Sequence, residues 1–578
     1  MKVLLVAINA KYIHSNLGVY SLKAYGEKRR SKGHCSIEIR EYTINHEMDG
    51  ILQDIYKRKP DVAGFSCYIW NIQYVIQIAR DLKKVLPHVR IWLGGPEVSY
   101  DARERLQQIP EISGIMVGEG EETFADLMDF YERMDIRQAE LERIPGIVFR
   151  ARTGQIITTA SRPLLSMDQI PFPYKDLAGM EHRIIYYESS RGCPFSCSYC
   201  LSSIDKSVRF RSLELVKQEL AFFLEQRVLQ VKFVDRTFNC KKSHCLAIWR
   251  FLLEQDNGIT NFHFEISADL LDQEQLEVLK QMRPGLVQLE IGVQTTNTNV
   301  IKEIHRTTDL ERLKEVVGTV KNFHNIHQHL DLIAGLPYED FESFRKSFDE
   351  VYEMRPDQLQ LGFLKVLKGS YMEKMAEKYD LLYHEEPPYE VLSNRWMSYE
   401  EILRLKTVEE MVEVYYNSGQ FGYTLREMEK LWESPYDMFE SIGRYYESHG
   451  LMRVNHSRLA RYEILYDFLK EREGDIPEIF VDLLMFDLYL RENVKSRPKF
   501  ARDQKEYRTK IRDFFIEEKK HAGSSQVSKM AHVEAMGDGS LVLFDYTDRD
   551  PLSHNARAVL IDGSFSVLCQ KKTKRSLA

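Results

Sequence analysis

Apolar runs of strand length alternate with amphipathic stretches of helical period through the first ~135 residues. The series predicts a strand over 2–9, a helix over 14–32, a strand over 36–43, a helix over 46–59, a strand over 62–70 and a helix over 71–86. A strand over 89–93, a short helix from Asp101, a strand over 114–117 and a helix over 122–134 complete it. Near-continuous apolar strands separated by helices predict a parallel, doubly wound, Rossmann-like sheet. Ligands of such sheets bind at the carboxyl ends of the strands. The loops there are 9–17, 66–71, Leu93-Gly94-Gly95-Pro96-Glu97 and Val117-Gly118-Glu119-Gly120-Glu121-Glu122. Glycine lets backbone approach a ligand closely. Gly94, Gly95, Glu97, Gly118, Glu119 and Gly120 are therefore candidate contacts.

The period then changes. Residues 144–159 read as a hairpin turning at Ala151-Arg152-Thr153-Gly154, and 162–176, with three prolines, as a linker. From Tyr186 a second alternation begins. Strands are predicted over 186–190, 231–235, 263–267, 287–293, 329–334 and 358–366. Helices are predicted over 213–227, 241–255, 273–282, 310–324 and 341–354. Six strands with helices between them fit a partial (β/α)6 barrel, whose chemistry would collect at the carboxyl ends of its strands. Past Gly369 the chain turns mostly helical, with helices over 398–419, 424–450, 456–472 and 477–494. Short strands are predicted over 541–545, 558–561 and 565–569, with mobile segments at 524–528 and 571–577. The expected organisation is an α/β protein of four parts: 1–135, a hairpin and linker 136–180, a barrel 181–370, and a helical region 371–578 with a short strand-like end.

One stretch carries chemistry: Arg191-Gly192-Cys193-Pro194-Phe195-Ser196-Cys197-Ser198-Tyr199-Cys200. Its cysteines are separated by three residues and then by two, directly after a buried strand. A short loop can curl three such sulfurs toward one point. Thiolates are soft ligands and suit iron–sulfur clusters. A four-iron cluster normally takes four cysteines, so three leave one iron open. A zinc knuckle or plain buried cysteines is the alternative reading of the loop alone. Cys240 and Cys245 read as ordinary helix cysteines, and Cys35, Cys67 and Cys569 are scattered.

With Tyr199 just before the third cysteine, the loop resembles that of radical S-adenosylmethionine (SAM) enzymes. The resemblance implies a [4Fe-4S] cluster on Cys193, Cys197 and Cys200, with SAM chelating the open iron through its amino and carboxylate groups. Reductive cleavage to a 5'-deoxyadenosyl radical is implied, with Tyr199 packed on the adenine. Further strand ends resemble the family and imply SAM contacts at Asp235, Glu265, Glu290 and Gln294, the last two on one strand face. Gly335-Leu336-Pro337 resembles the exit loop that skirts the nucleoside. This chain departs at Arg236, where relatives often carry Asp, and at Ala268, near which they often carry Arg. The N-terminal glycine loops resemble a cobalamin-binding domain. Such domains with a protein ligand on cobalt carry Asp-x-His-x-x-Gly, whereas this chain has Tyr12-Ile13-His14-Ser15-Asn16-Leu17-Gly18. The implication is cobalamin without a histidine on cobalt. Two N-terminal cysteines, Cys35 and Cys67, are too few for the auxiliary cluster of methylthiotransferases. The C-terminal region resembles that of an uncharacterised subgroup of cobalamin-type radical SAM proteins.

Composition narrows the rest. The 578 residues are too many for one core. Their 43% hydrophobic and 29% charged fractions are those of an ordinary globular protein. A net charge of −8 with both signs interspersed argues against nucleic acid as the main partner. No apolar run reaches the ~18 residues of a membrane span, and no signal peptide is expected ahead of the first strand. Eight cysteines, three of them clustered, suit a cytoplasmic metal protein. The expected function is radical SAM catalysis, with cobalamin-dependent C-methylation of an unknown substrate and flavodoxin or ferredoxin as reductant. The alternatives are a ring-forming oxidation like that of the anaerobic porphyrin cyclases, or a non-catalytic iron–sulfur protein.

Overall fold

A computed structural model describes residues 1–29, 35–133, 138–521, 530–565 and 567–568. The first elements are β1 (Lys2–Asn9), α1 (Leu17–Arg29), β2 (Ser36–Thr43), α2 (Met48–Arg58), β3 (Val62–Ser66), α3 (Ile72–Val85) and β4 (Arg90–Gly94). Then come α4 (Pro96–Ser99), α5 (Ala102–Gln108), β5 (Gly114–Met116), α6 (Gly120–Glu132) and α7 (Gln138–Leu141). The five strands run parallel in the order β2-β1-β3-β4-β5. β1 is apolar from Val3 to Ile8 because helices cover both faces. Its Leu4, Val6 and Ile8 share a core with Ile51 and Ile55 of α2 and Val75 and Leu82 of α3. Its Val3, Leu5 and Ala7 share another with Val19 of α1 and Phe124 and Leu127 of α6.

The hairpin forms as expected, as β6 (Ile147–Arg150) and β7 (Ile156–Thr158). It does not stand apart: β6 pairs antiparallel with β5, making a seven-stranded sheet.

Several predicted boundaries move for local reasons. The first helix starts at Leu17 instead of 14, because Asn16 Oδ1 accepts from Val19 N while His14 bridges to Ile184. Its predicted end, 30–32, lies outside the described residues. β3 stops at Ser66 instead of 70. There the buried Asn71 donates to Ile8 O and Ser66 O and accepts from Tyr68 N, folding 67–70 into a turn. The last helix of the set begins two residues early, at Gly120.

The second alternation opens with β8 (Ile185–Tyr187), followed by an antiparallel pair, β9 (Ser190–Arg191) and β10 (Arg209–Phe210), that brackets the cysteine loop. Then come α8 (Leu213–Glu225), β11 (Gln230–Phe233), α9 (Lys242–Glu254), β12 (Asn261–Ile266), α10 (Gln273–Gln281), β13 (Val287–Gln294), α11 (Thr298–Glu303) and α12 (Leu310–Lys321). β8, β11, β12 and β13 lie side by side in parallel. β13 alternates buried and half-buried residues, the pattern of a strand with a polar interior face. β14 (His327–Ala334), α13 (Phe341–Glu353) and β15 (Gln358–Phe363) continue the alternation.

By contacts the chain divides into two units. The first holds Met1–Ile326, Ile333–Asp340 and Phe363–Ser398; the second holds His327–Leu332, Phe341–Gly362 and Tyr399–Ala578. The second contains α14 (Tyr399–Met411), α15 (Gly422–Met428), α16 (Pro435–Ser448), α17 (Arg458–Glu473) and α18 (Glu478–Arg491). The helix predicted over 424–450 is broken, because Ser434 caps a new helix with Pro435 in its first turn. A helix not predicted, α19 (Arg508–His521), follows. The end of the chain is an antiparallel sheet of β16 (Ala531–Ala535), β17 (Leu541–Arg549) and β18 (Ala556–Asp562). β16 was not predicted. The strand expected over 565–569 is absent among the described residues there, where 567–568 is helical. The segments 524–528 and 571–577 lie outside the described residues. No helix among the described residues is long and apolar enough to cross a membrane.

Candidate cofactor site

The cysteine loop is shaped by its backbone. Gly192 has φ +92°, and a Cβ there would lie 2.5 Å from Ser207 O, so only glycine fits. Cys193 N donates to Asp205 O at 3.3 Å and Cys200 N to Cys197 O at 3.1 Å, which curls the loop. Cys193 is buried; Cys197 and Cys200 are half-buried; none is in a disulfide. Burial pushes the Cys193 thiol up, and the charges of Cys200 and Cys197 add to the rise. Three thiols with no fourth on the loop fit a four-iron cluster with one open iron. Tetrahedral zinc would need a fourth ligand. Cys245 is buried in α9 and accepts from Gln275 Nε2 at 3.5 Å. Cys240 is half-buried, its thiol pushed up to about 11 by burial.

The other predicted residues occupy two kinds of place. Asp235 is 1% exposed. It accepts from Ser189 N at 2.9 Å and from the Ser189 and Ser190 hydroxyls at 2.6 Å each, and burial raises its pKa to about 6. It braces the turn into the cysteine loop, and its oxygens are taken. Glu265 accepts from Arg236 Nη1 at 3.0 and 3.2 Å. Glu290 accepts from Lys232 Nζ at 2.7 Å and lies 2.9 Å from His263 Nε2. Burial pushes its pKa up, but His263 and Lys232 outweigh that and hold it well below the usual carboxylate range. Glu265 and Glu290 are register partners on adjacent strands, so these charges form a layer across the sheet. Gln294 ends β13 at φ +71°, its Oε1 buried without a hydrogen-bond partner. The Tyr199 hydroxyl accepts from Arg306 Nη1 at 3.3 Å.

At the carboxyl ends of the N-terminal strands lies a cavity of about 810 Å³. Gly94, Gly95, Gly118, Glu119 and Gly120 line it, with His14, Asn16, Tyr68 and Trp70 from the earlier loops. Tyr186, Glu188, Arg191, Val234 and Arg236 line it from the second alternation. Gly95 has φ +117°, and a Cβ there would meet Cys67 O at 2.5 Å. Tyr68 and Trp70 stack with centroids 4.4 Å apart. His14 Nδ1 is 2.8 Å from the Tyr186 hydroxyl, and burial lowers its pKa. Glu97 is not among the lining residues: it is buried, paired with Arg105 Nη2 at 2.7 Å, and it accepts from the Tyr389 hydroxyl. That predicted contact is corrected. Glu119 pairs with Arg209. Arg191 joins the cysteine loop to the glycine loop by bonding Glu121, and bonds Glu188 at 2.9 Å. Burial raises the Glu188 pKa to about 7.

Comparison with known proteins decides between the readings of the loop. The B12-binding domain family model matches residues 3–128, the radical SAM superfamily model matches 187–351, and "protein of unknown function (DUF4080)" matches 377–547. The chain thus carries, in order, a B12-binding domain, a radical SAM domain and a DUF4080 domain. It is 24% identical over 354 residues to an uncharacterised methyltransferase of Pyrococcus horikoshii, covering 58% of this chain and 75% of that one. It is 26% identical over 332 residues to the cobalamin-dependent radical SAM methyltransferase TokK of Streptomyces tokunonensis, covering 54% of this chain and 46% of that one. The match thus spans less than half of the second relative. Among solved structures, the cobalamin-dependent radical enzyme OxsB, with aqua-cobalamin and SAM bound, superposes with a TM-score of 0.58 at 16% identity. That superposition covers 91% of this chain and 82% of OxsB, and the likeness is one of fold.

Sequence reasoning missed several polar groups of the radical SAM domain. Lys232 and His263 carried a signal: each interrupts an otherwise apolar run in a strand flanked by helices, so each had to find an interior partner. Arg306 gave none, being one cation in a polar turn.

Proposed function

We propose that this radical SAM protein transfers a methyl group to a carbon of an as yet unidentified substrate, using cobalamin. The observation that carries the reading is the shared cavity. Loops of the B12-binding domain and strand ends of the radical SAM domain face it together, so two cofactors could act on one substrate there. A [4Fe-4S] cluster with SAM supplies reductive carbon–sulfur cleavage, and cobalamin supplies methyl transfer.

In this reading Cys193, Cys197 and Cys200 hold the cluster. Tyr199, Glu265, Glu290 and Gln294 border the SAM site, Gln294 offering its unpartnered Oε1 to a donor. Asp235 works one step back, fixing Ser189 and Ser190 ahead of the loop. Gly94, Gly95, Gly118 and Gly120 keep the cavity wall free of side chains, and Glu119 anchors it through Arg209. Flavodoxin or ferredoxin is the proposed reductant, and a reducing cytoplasm the proposed compartment for the free thiols.

The test is an anaerobic, reconstituted preparation assayed for iron, cobalamin and SAM cleavage under reductant. The reading expects all three. Iron and SAM cleavage without cobalamin uptake would end the methyl-transfer reading and leave a radical SAM enzyme of another reaction. Iron without SAM cleavage would favour the non-catalytic protein.

A further inference from the structure

We propose that Arg306 sets the reduction potential of the cluster, as a fixed positive charge donating to one of its sulfur ligands. The inference rests on the reading that Cys193, Cys197 and Cys200 hold that cluster.

The local fold aims this side chain. α11 ends with His305 at φ +54°, and Arg306 N returns to Ile301 O at 3.0 Å while His305 N bonds Lys302 O at 3.1 Å. This paired closure with a left-handed residue is a Schellman-type helix end. The same turn is tied to the cysteine loop, because Ser198 N donates to Ile304 O at 2.9 Å. Arg306 therefore leaves the helix beside Cys197 and Tyr199.

Its guanidinium is spent on fixed partners. Nε donates to Thr308 Oγ1 at 2.9 Å, Nη2 to Gly292 O, and Nη1 to the Tyr199 hydroxyl at 3.3 Å and Cys197 Sγ at 3.9 Å. These contacts hold the guanidinium beside Cys197 and Tyr199. It is well placed to hold one positive charge against the cluster. Hydrogen bonds to the sulfurs and nearby charge are the protein's main levers on cluster potential. A cation that favours the more negative, reduced state raises the potential. Arginine suits the task because it stays charged and its planar fork can satisfy several acceptors at once.

The experiment is an EPR-monitored redox titration of the full-length, anaerobically reconstituted protein, with iron content measured alongside. Arg306→Gln should retain iron, and its one-electron reduction equilibrium should move at least tenfold toward the oxidised state, about 59 mV lower. Arg306→Lys keeps the charge but not the fork, and its potential should fall between the two. A variant that holds wild-type iron at wild-type potential overturns the proposal. Loss of iron from both variants also overturns it, because Arg306 would then prop the loop and not tune the cluster. Absence of a cluster in the wild type is a different failure, that of the underlying reading.

Discussion

The two sides of the cavity are built on opposite plans. The radical SAM side lines the cavity with charged residues held in ion pairs: Glu188 and Arg191 with each other, and Arg236 with Glu265. The B12-binding side leaves backbone open at Gly94, Gly95, Gly118 and Gly120, between side chains such as His14, Asn16, Tyr68 and Trp70. The first plan works through groups that are present and fails when one is removed. The second works through Cβ atoms that are absent and fails when one is added. Alanine therefore damages the two sides for contrary reasons.

The largest effect should come from the cysteines. Cys193→Ala, Cys197→Ala or Cys200→Ala should each leave only background iron after reconstitution, whereas Cys240→Ala and Cys245→Ala should retain the wild-type iron content. Near-wild-type iron in all three loop variants would sink the proposed ligand set. On the glycine side, Gly95→Ala should destabilise the fold by about 1–3 kcal/mol through backbone strain and block cobalamin uptake, since its Cβ would lie 2.5 Å from Cys67 O. Gly118→Ala has the same sign of φ but no atom within 4 Å of the new Cβ. It should cost only the left-handed penalty of about 1–2 kcal/mol and still take up cobalamin, as read by thermal melts and visible absorption.

Glu290→Ala should weaken SAM binding by about 1.5–3 kcal/mol if the carboxylate makes a charge-assisted hydrogen bond to the ligand. The Lys232 and His263 contacts sharpen that expectation. Glu290→Gln keeps shape and loses charge, so it should fall between wild type and alanine in equilibrium dialysis. An unchanged dissociation constant in both variants would show that Glu290 serves only Lys232 and His263.

How far these plans were legible follows from the same contrast. Cysteine spacing, glycine loops and apolar strands are local in sequence, so the cluster loop, both alternating regions and the parallel sheet could be read directly. Pairings between distant residues could not. Glu97 looked like a ligand contact because it follows Gly94-Gly95, yet its partners are Arg105 and Tyr389, the latter 292 residues away. Asp235 resembled a family contact, but its oxygens are committed to Ser189 and Ser190. The break at Ser434-Pro435 was written in the sequence as a cap followed by proline, and the longer helix over 424–450 overran it.

A smaller effect concerns pH. Glu188 and Asp235 have folded pKa values raised by burial to about 7 and about 6. Each holds a proton that an unfolded carboxyl gives up near pH 4. The folded state thus binds the extra protons, and stability should rise as pH falls from about 7 toward about 4. Urea midpoints across that window should show the slope, and Glu188→Gln should flatten its upper part. The smallest effect should come from His14→Ala. With Nδ1 engaged by Tyr186, the side chain is read as a tie and not a cobalt ligand, so the cobalamin spectrum should be nearly unchanged. A large spectral shift would show coordination.

The hairpin that joins the N-terminal sheet has a consequence for the protein's behaviour in a crowded cell. An open strand edge is a template on which another chain can add. Here β6 covers β5, and the sheet then stops at β7, only three residues long. The opposite edge, β2, is eight residues long but carries Glu38, Arg40 and Glu41 along it. Brevity guards one border and charge the other. Aggregation by strand addition should therefore be slow while the hairpin stays docked, and deleting 144–160 should turn β5 into an adhesive edge.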